Sequence, residues 1–125
     1  MLKTILIDDE RASLKMLECM LEEYEDMEIA GQFTDITQAI LKIRQEDIHV
    51  VFLDIEMPKM KGIAAAKKMK SINPDIIIIF VTAYSDYAVE AFEIYALDYI
   101  MKPIAKKRFE KVIQRIRQSK SDVLR

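Results

Sequence analysis

Short apolar runs of four to six residues alternate along this chain with longer amphipathic stretches. That alternation predicts an α/β fold built on a parallel sheet. Residues 3–7 read as a buried strand, and residues 10–24 as a helix with Leu14, Leu17 and Leu21 on its inner face. Met27–Phe33 is less apolar, as expected of a strand at a sheet edge. Thr34 or Asp35 is placed to cap a helix that runs to about Glu46 through Ile36, Ala39, Ile40 and Ile43. Residues 50–53 form the third strand, Met57-Pro58 begins a loop, and Gly62 opens a helix that Asn73-Pro74 stops near Ser71. Residues 76–81 have the β-branched density of a strand buried on both faces.

Ser85 or Asp86 caps the next predicted helix, through Val89, Ala91, Phe92 and Ile94. Residues 97–101 give the fifth strand. A last helix over 104–119 turns Ile104, Phe109, Val112, Ile113 and Ile116 inward, followed by a polar tail or linker stub over 119–125. The expected unit is therefore one domain over 1–118. Five strands and five helices in strict alternation predict a flavodoxin-like doubly wound five-stranded parallel sheet, order 2-1-3-4-5. Its topological switch lies between strands one and three, and ligands bind beyond the carboxyl ends of the strands at that crevice.

The strand ends carry the candidate chemistry. Asp8 and Asp9 follow the first strand, Asp54 the third, Thr82 the fourth and Lys102 the fifth. Singly, these residues read as caps, a strand-end hydroxyl and a surface charge; together, at consecutive strand ends, they read as a site. Three carboxylates held within a few ångströms repel, and one takes up a proton unless a cation intervenes. Hard oxygen ligands favour Mg²⁺ or Mn²⁺. A metal beside Asp54 would orient a phosphoryl group for attack by the carboxylate, with Lys102 and Thr82 contacting the phosphoryl oxygens. Zinc is not indicated: the sole His49 has no cysteine or second histidine near it and reads as a loop or strand-entry residue.

Composition narrows the classes further. A chain of 125 residues, 51% hydrophobic, suits a single compact core. No apolar stretch approaches the ~20 residues that span a bilayer, and no leader sequence is evident, so a cytoplasmic protein is expected. The lone Cys19 excludes an intrachain disulfide and, lying in an apolar-patterned helix, is expected to be buried. The net charge of −2 conceals an asymmetry: residues 102–125 hold nine basic side chains against two acidic ones, leaving an acidic body. That body argues against direct contact with a nucleic-acid backbone. The basic helix is read as a solvated face.

The pieces IDDE, FLDIEMPKMKG, VTAY and DYIMKPI resemble the receiver domain of two-component response regulators, over essentially the whole chain. On that resemblance Asp54 is the phosphoacceptor. Asp9 binds the metal directly, Asp8 mainly through water, and the backbone carbonyl of Glu56 completes the protein's ligands. Thr82 and Tyr99 match the switch residues, Lys102 the phosphoryl-binding lysine, and Pro103 follows it in a bond expected to be cis. The wording FVTAYSDYAVEAFEIYALDYIMKPI resembles receivers of the LytR type and related transcriptional regulators, with Tyr84 in the aromatic place two residues after the threonine. Glu56 and Tyr84 would border the site and tune the lifetime of the phosphorylated state.

Tyr95, where relatives more often carry a small or polar residue, marks a departure that reads either as a partner surface or as local packing. A sensor histidine kinase as phosphodonor is implied. So is a homodimer formed through the fourth predicted helix, the fifth strand and the last helix, with a DNA-binding output domain outside this chain. A stand-alone relay or protein-binding regulator is the alternative. A Mg²⁺-dependent phosphohydrolase would use a similar strand-end aspartate with Glu56 as second acid, but no cap domain or substrate insertion is evident. A flavin-binding protein of this topology would want a glycine-rich cradle, and the chain has only Gly31 and Gly62.

Overall fold

The computed structural model describes residues 1–56, 62–83 and 96–123. In chain order it contains β1 (Leu2–Ile7), α1 (Arg11–Leu21), β2 (Met27–Phe33), α2 (Ile36–Gln45), β3 (Val50–Asp54), α3 (Gly62–Ile72), β4 (Ile77–Thr82), β5 (Asp98–Met101) and α4 (Lys106–Val123). All strand pairs are parallel, in the order β2-β1-β3-β4-β5. Four of the five expected helices lie among the described residues. The helix expected through Val89 and Ile94 lies outside them, as do Tyr84, Tyr95 and the Met57-Pro58 loop.

The period-two alternation of strand side chains sorts the core into two layers. Ile5, Ile7, Val51, Leu53, Ile78 and Phe80 face α2 and α3, meeting Ile40, Ile43, Ala65 and Met69. Leu6, Val50, Phe52, Ile79 and Val81 face α1 and α4, meeting Leu14, Leu17, Phe109, Val112 and Ile116. Phe52 stacks on Phe109 with ring centroids 5.8 Å apart. β3 and β4 are buried along their whole length, so their run of β-branched and aromatic residues is explained by cover on both faces. Each such side chain contributes about 1.5–3 kcal/mol when fully buried.

Local signals set the helix ends. The Asp35 carboxylate accepts from the Thr37 N–H at 2.8 Å and caps α2, whose last turn carries Lys42 and Arg44. α1 closes at Leu21, earlier than the expected residue 24, because a turn follows in which the Tyr24 N–H donates to the Leu21 carbonyl. Cys19 is exposed, not buried: it lies two residues past Leu17 and so falls about 200° round the helix from the buried stripe. α4 begins at Lys106, two residues late, and continues to Val123, past the expected end at 119. No glycine or proline after Pro103 stops it. Ile104 precedes the helix yet still packs on the α1–α4 layer.

Candidate functional site

Register brings the strand ends together. Ile7 pairs with Leu53, so Asp8 and Asp54 sit at one level across the switch between β1 and β3. Asp54 pairs with Val81, which puts Thr82 one residue further along β4. Thr82 pairs with Met101, and the Lys102 N–H donates to the Thr82 carbonyl at 2.8 Å. The Lys102-Pro103 peptide bond is cis. Asp8, Asp54 and Thr82 are buried, whereas Asp9 and Glu10 are exposed on the rim.

Lys102 joins these groups. Its ammonium donates to Asp8 Oδ2 at 2.9 Å and lies 3.7 Å from both Asp54 Oδ2 and Glu10 Oε1. Each buried carboxylate spends its other oxygen on a local turn: Asp8 Oδ1 accepts from the Glu10 N–H at 2.9 Å, and Asp54 Oδ1 from the Glu56 N–H at 3.1 Å. Gly62, at the start of α3, lets the helix sit directly on this turn. Its N–H donates to the Ile55 carbonyl at 2.7 Å, and a Cβ there would lie 2.6 Å from Ile55 Cα and 2.7 Å from the Asp54 carbonyl oxygen.

The electrostatics match the geometry. Burial first, then the neighbouring Asp8 charge, push the Asp54 carboxyl up to about 6; Lys102 and the Glu56 N–H oppose this and Asp9 adds to it. Burial works against the charge of Lys102, but the hydrogen bond and charge of Asp8, then Asp54 and Glu10, outweigh it and raise its pKa. One lysine thus serves more negative charge than it can neutralise.

Asp8, Asp9 and Glu10 each offer a carboxylate oxygen within 4.8 Å of the others, a donor set suited to a hard divalent cation. Glu56 Oε1 is buried with no hydrogen-bond partner among the described residues, an unspent acceptor two residues past Asp54. Residues and group fit.

Of the expected site residues, the structure therefore brings Asp8, Asp54 and Lys102 into one chain of ion pairs and sets Asp9, Glu56 and Thr82 around it. Tyr99 stands apart on β5, paired with Phe80 and half-buried against the α2–α3 layer. Two features escaped the sequence reading. Glu10 joins the acidic group; the third consecutive acid of Asp8-Asp9-Glu10 was its signal. Asp98 is buried on β5 between Arg108 and Arg115, and an acid inside an apolar strand is the kind of residue that demands a cation. Burial opposes its charge, but the Arg108 hydrogen bonds, then the Tyr99 N–H and Arg115, hold it below the usual carboxylate range.

The family model of the response regulator receiver domain matches residues 4–114. The chain belongs to the response regulator receiver family. This receiver is 37% identical over 123 residues to the transcriptional regulatory protein BtsR of Salmonella typhimurium, covering 97% of the chain and 50% of BtsR. It is 40% identical over 126 residues to a response regulatory protein of Vibrio cholerae, covering 98% and 52%. The receiver thus spans about half the length of the curated relatives it matches.

Among solved structures, the response regulatory domain of mrkE from Klebsiella pneumoniae superposes with a TM-score of 0.82 at 30% identity, covering 97% of each chain. The isolated receiver of RcsB from Salmonella enterica, obtained with the phosphomimetic BeF3⁻, gives 0.83 at 26% identity, over 90% and 86%. Receivers of this family bind Mg²⁺ at an acidic pocket and interact with histidine kinases; they are generally not turnover enzymes. No helix among the described residues is long and apolar enough to cross a membrane.

Proposed function

We propose that this receiver is the phosphoacceptor module of a cytoplasmic transcriptional regulator of the LytR type or a close relative, modified at Asp54 by a sensor histidine kinase. The observation that carries the reading is the buried carboxylate pair Asp8 and Asp54 sharing the Lys102 ammonium at the topological switch. An Asp54 oxygen attacks the phosphorus of a phosphohistidine. The new P–O bond forms as the P–N bond breaks, and the imidazole nitrogen leaves with the electron pair. Lys102 lies within reach of the incoming oxygens, and Thr82 stands one residue beyond Asp54 on the neighbouring strand.

Asp9, with Asp8, Asp54 and the Glu56 carbonyl, would hold Mg²⁺ or Mn²⁺, and Glu10 extends the donor set. Bound there, the ion supplies charge neutralisation and orientation for the phosphoryl group. Modification adds about −1.5 to −2 charges, which draws Thr82 and Lys102 toward Asp54. Tyr99 then moves into the space given up by Thr82. This remodels the β5–α4 face, and that face pairs with a second copy. The doubled length of BtsR favours an attached output domain in the whole protein over a stand-alone relay.

Incubation with acetyl phosphate and Mg²⁺, followed by intact-mass measurement, tests the reading. One hydroxylamine-sensitive phosphoryl group is expected on the native chain and none on Asp54→Asn. Undiminished labelling of Asp54→Asn would refute the assignment. Repeated turnover of generic phosphate esters would favour a phosphohydrolase instead.

A further inference from the structure

Asp98 and its two arginines do more than balance a buried charge. Arg108 Nη2 donates to Asp98 Oδ1 at 2.6 Å and Nη1 to Oδ2 at 3.2 Å, while Arg115 Nη1 lies 3.1 Å from Oδ2. The Tyr99 N–H also donates to Asp98 Oδ1, at 2.8 Å. The same Arg108 Nη2 donates to the Tyr99 carbonyl at 2.7 Å, and the guanidinium carbon stands 5.6 Å from the centroid of the Tyr99 ring. The backbone N–H, the carbonyl and the ring of Tyr99 are therefore all tied to one ion cluster. A purely structural ion pair would require only the carboxylate.

The two sides of this contact differ in rigidity. Arg108 is rooted in the first turn of α4, a helix fastened by the buried Phe109, Val112, Ile113 and Ile116. Tyr99 belongs to β5, a four-residue edge strand paired on one side only. A guanidinium forked on Asp98 and held over the ring resists the ring's departure in a way a lysine ammonium, which has no such fork, does not. The Arg108 side chain is 36% exposed, so the contact can be broken without opening the core.

We propose that Arg108 is a positioning residue for the switch, clamping Tyr99 in the place it takes in the unmodified chain. The ring must leave the guanidinium before the β5–α4 face is remodelled. The clamp sets the threshold for response and takes no part in phosphoryl transfer. This inference rests on the role proposed for Tyr99.

The test uses the full chain labelled with 3-fluorotyrosine, the Tyr99 resonance being assigned with Tyr99→Phe, and titrated with beryllofluoride in saturating Mg²⁺. Arg108→Gln is expected to shift the Tyr99 resonance toward its bound position before any addition. Half-saturation should then occur at roughly threefold lower beryllofluoride, the scale of one lost cation–π contact. The acetyl phosphate labelling rate at Asp54 should be unchanged. Arg108→Lys should behave like Arg108→Gln, and Asp98→Asn, which releases the Arg108 fork, should shift the same way and carries the test if Arg108→Gln is unfolded. A responsive native chain whose Arg108→Gln variant titrates identically, with Tyr99 unmoved, overturns this inference alone. A native chain with no response at all overturns the phosphoacceptor reading and this inference with it.

Discussion

Replacing Asp54 with Asn should make the metal-free protein more stable, although it removes the residue on which the proposed chemistry depends. The fold holds the Asp54 carboxyl up to about 6 against an ordinary 3.8, and two units correspond to about 3 kcal/mol at neutral pH. The Asn amide keeps the acceptor for the Glu56 N–H but sets an NH₂ toward Lys102. A net gain of about 2 kcal/mol is therefore expected, or a rise in Tm of about 6–10 °C for a domain of this size.

The pH dependence gives the sign. A raised carboxyl pKa means the folded state holds more protons than the unfolded chain between about pH 4 and 6. The stability contributed by Asp54 is thus full below that window and lost as pH rises through it. Asn does not titrate there, so the advantage of the variant should be small at pH 4.5 and complete at pH 7.5. Urea unfolding followed by circular dichroism, in EDTA at both pH values, measures it. Added Mg²⁺ should narrow the gap at pH 7.5 by binding the native site more tightly. A variant no more stable than the native chain at pH 7.5, or a gap equal at both pH values, would refute the reasoning.

Two further substitutions probe the frame around the site. Gly62→Ala places a methyl group against the Asp54–Ile55 backbone and should cost on the order of 1–3 kcal/mol, with slower acetyl phosphate labelling; an unchanged urea midpoint would show that α3 yields freely. His49 Nδ1 accepts from the Lys3 N–H at 2.8 Å, and burial, aided by the charge of Lys120 and opposed by Asp47, lowers its pKa below 6.5. Its contribution is present above that value and lost as pH falls through the depressed one. In the Asp54→Asn background, which removes the opposing titration, stability should decline from pH 7 to 5, and His49→Gln should flatten the curve; identical slopes would remove His49 from the account.

Much of the frame was legible because strand burial writes itself into composition. β3 and β4 are buried on both faces and read as unbroken apolar runs, and the acid, hydroxyl and lysine at strand ends stand out against them. The polarity of β2 announced an edge. What stayed hidden depended on rotation or on partners distant in the chain. Cys19 fell off the buried stripe by its angle round α1, which an apolar neighbourhood does not reveal. The end of α4 was misplaced because a polar sequence suits a solvated helix as well as a tail. The hold of Arg108 on Tyr99 depends on where α4 crosses β5, and no local pattern records that crossing.

The bond between Lys102 and Asp8 spans 94 positions of the chain. During synthesis all the acids of the pocket leave the ribosome before the only cation that pairs with Asp8 and Asp54 among the described residues. A nascent chain ending before β5 therefore carries the acids of the pocket without the ammonium that meets Asp8 and Asp54 in the folded domain. Docking of the last strand completes the sheet order and, because Lys102 is the next residue after β5, brings its ammonium against the two buried carboxylates as well.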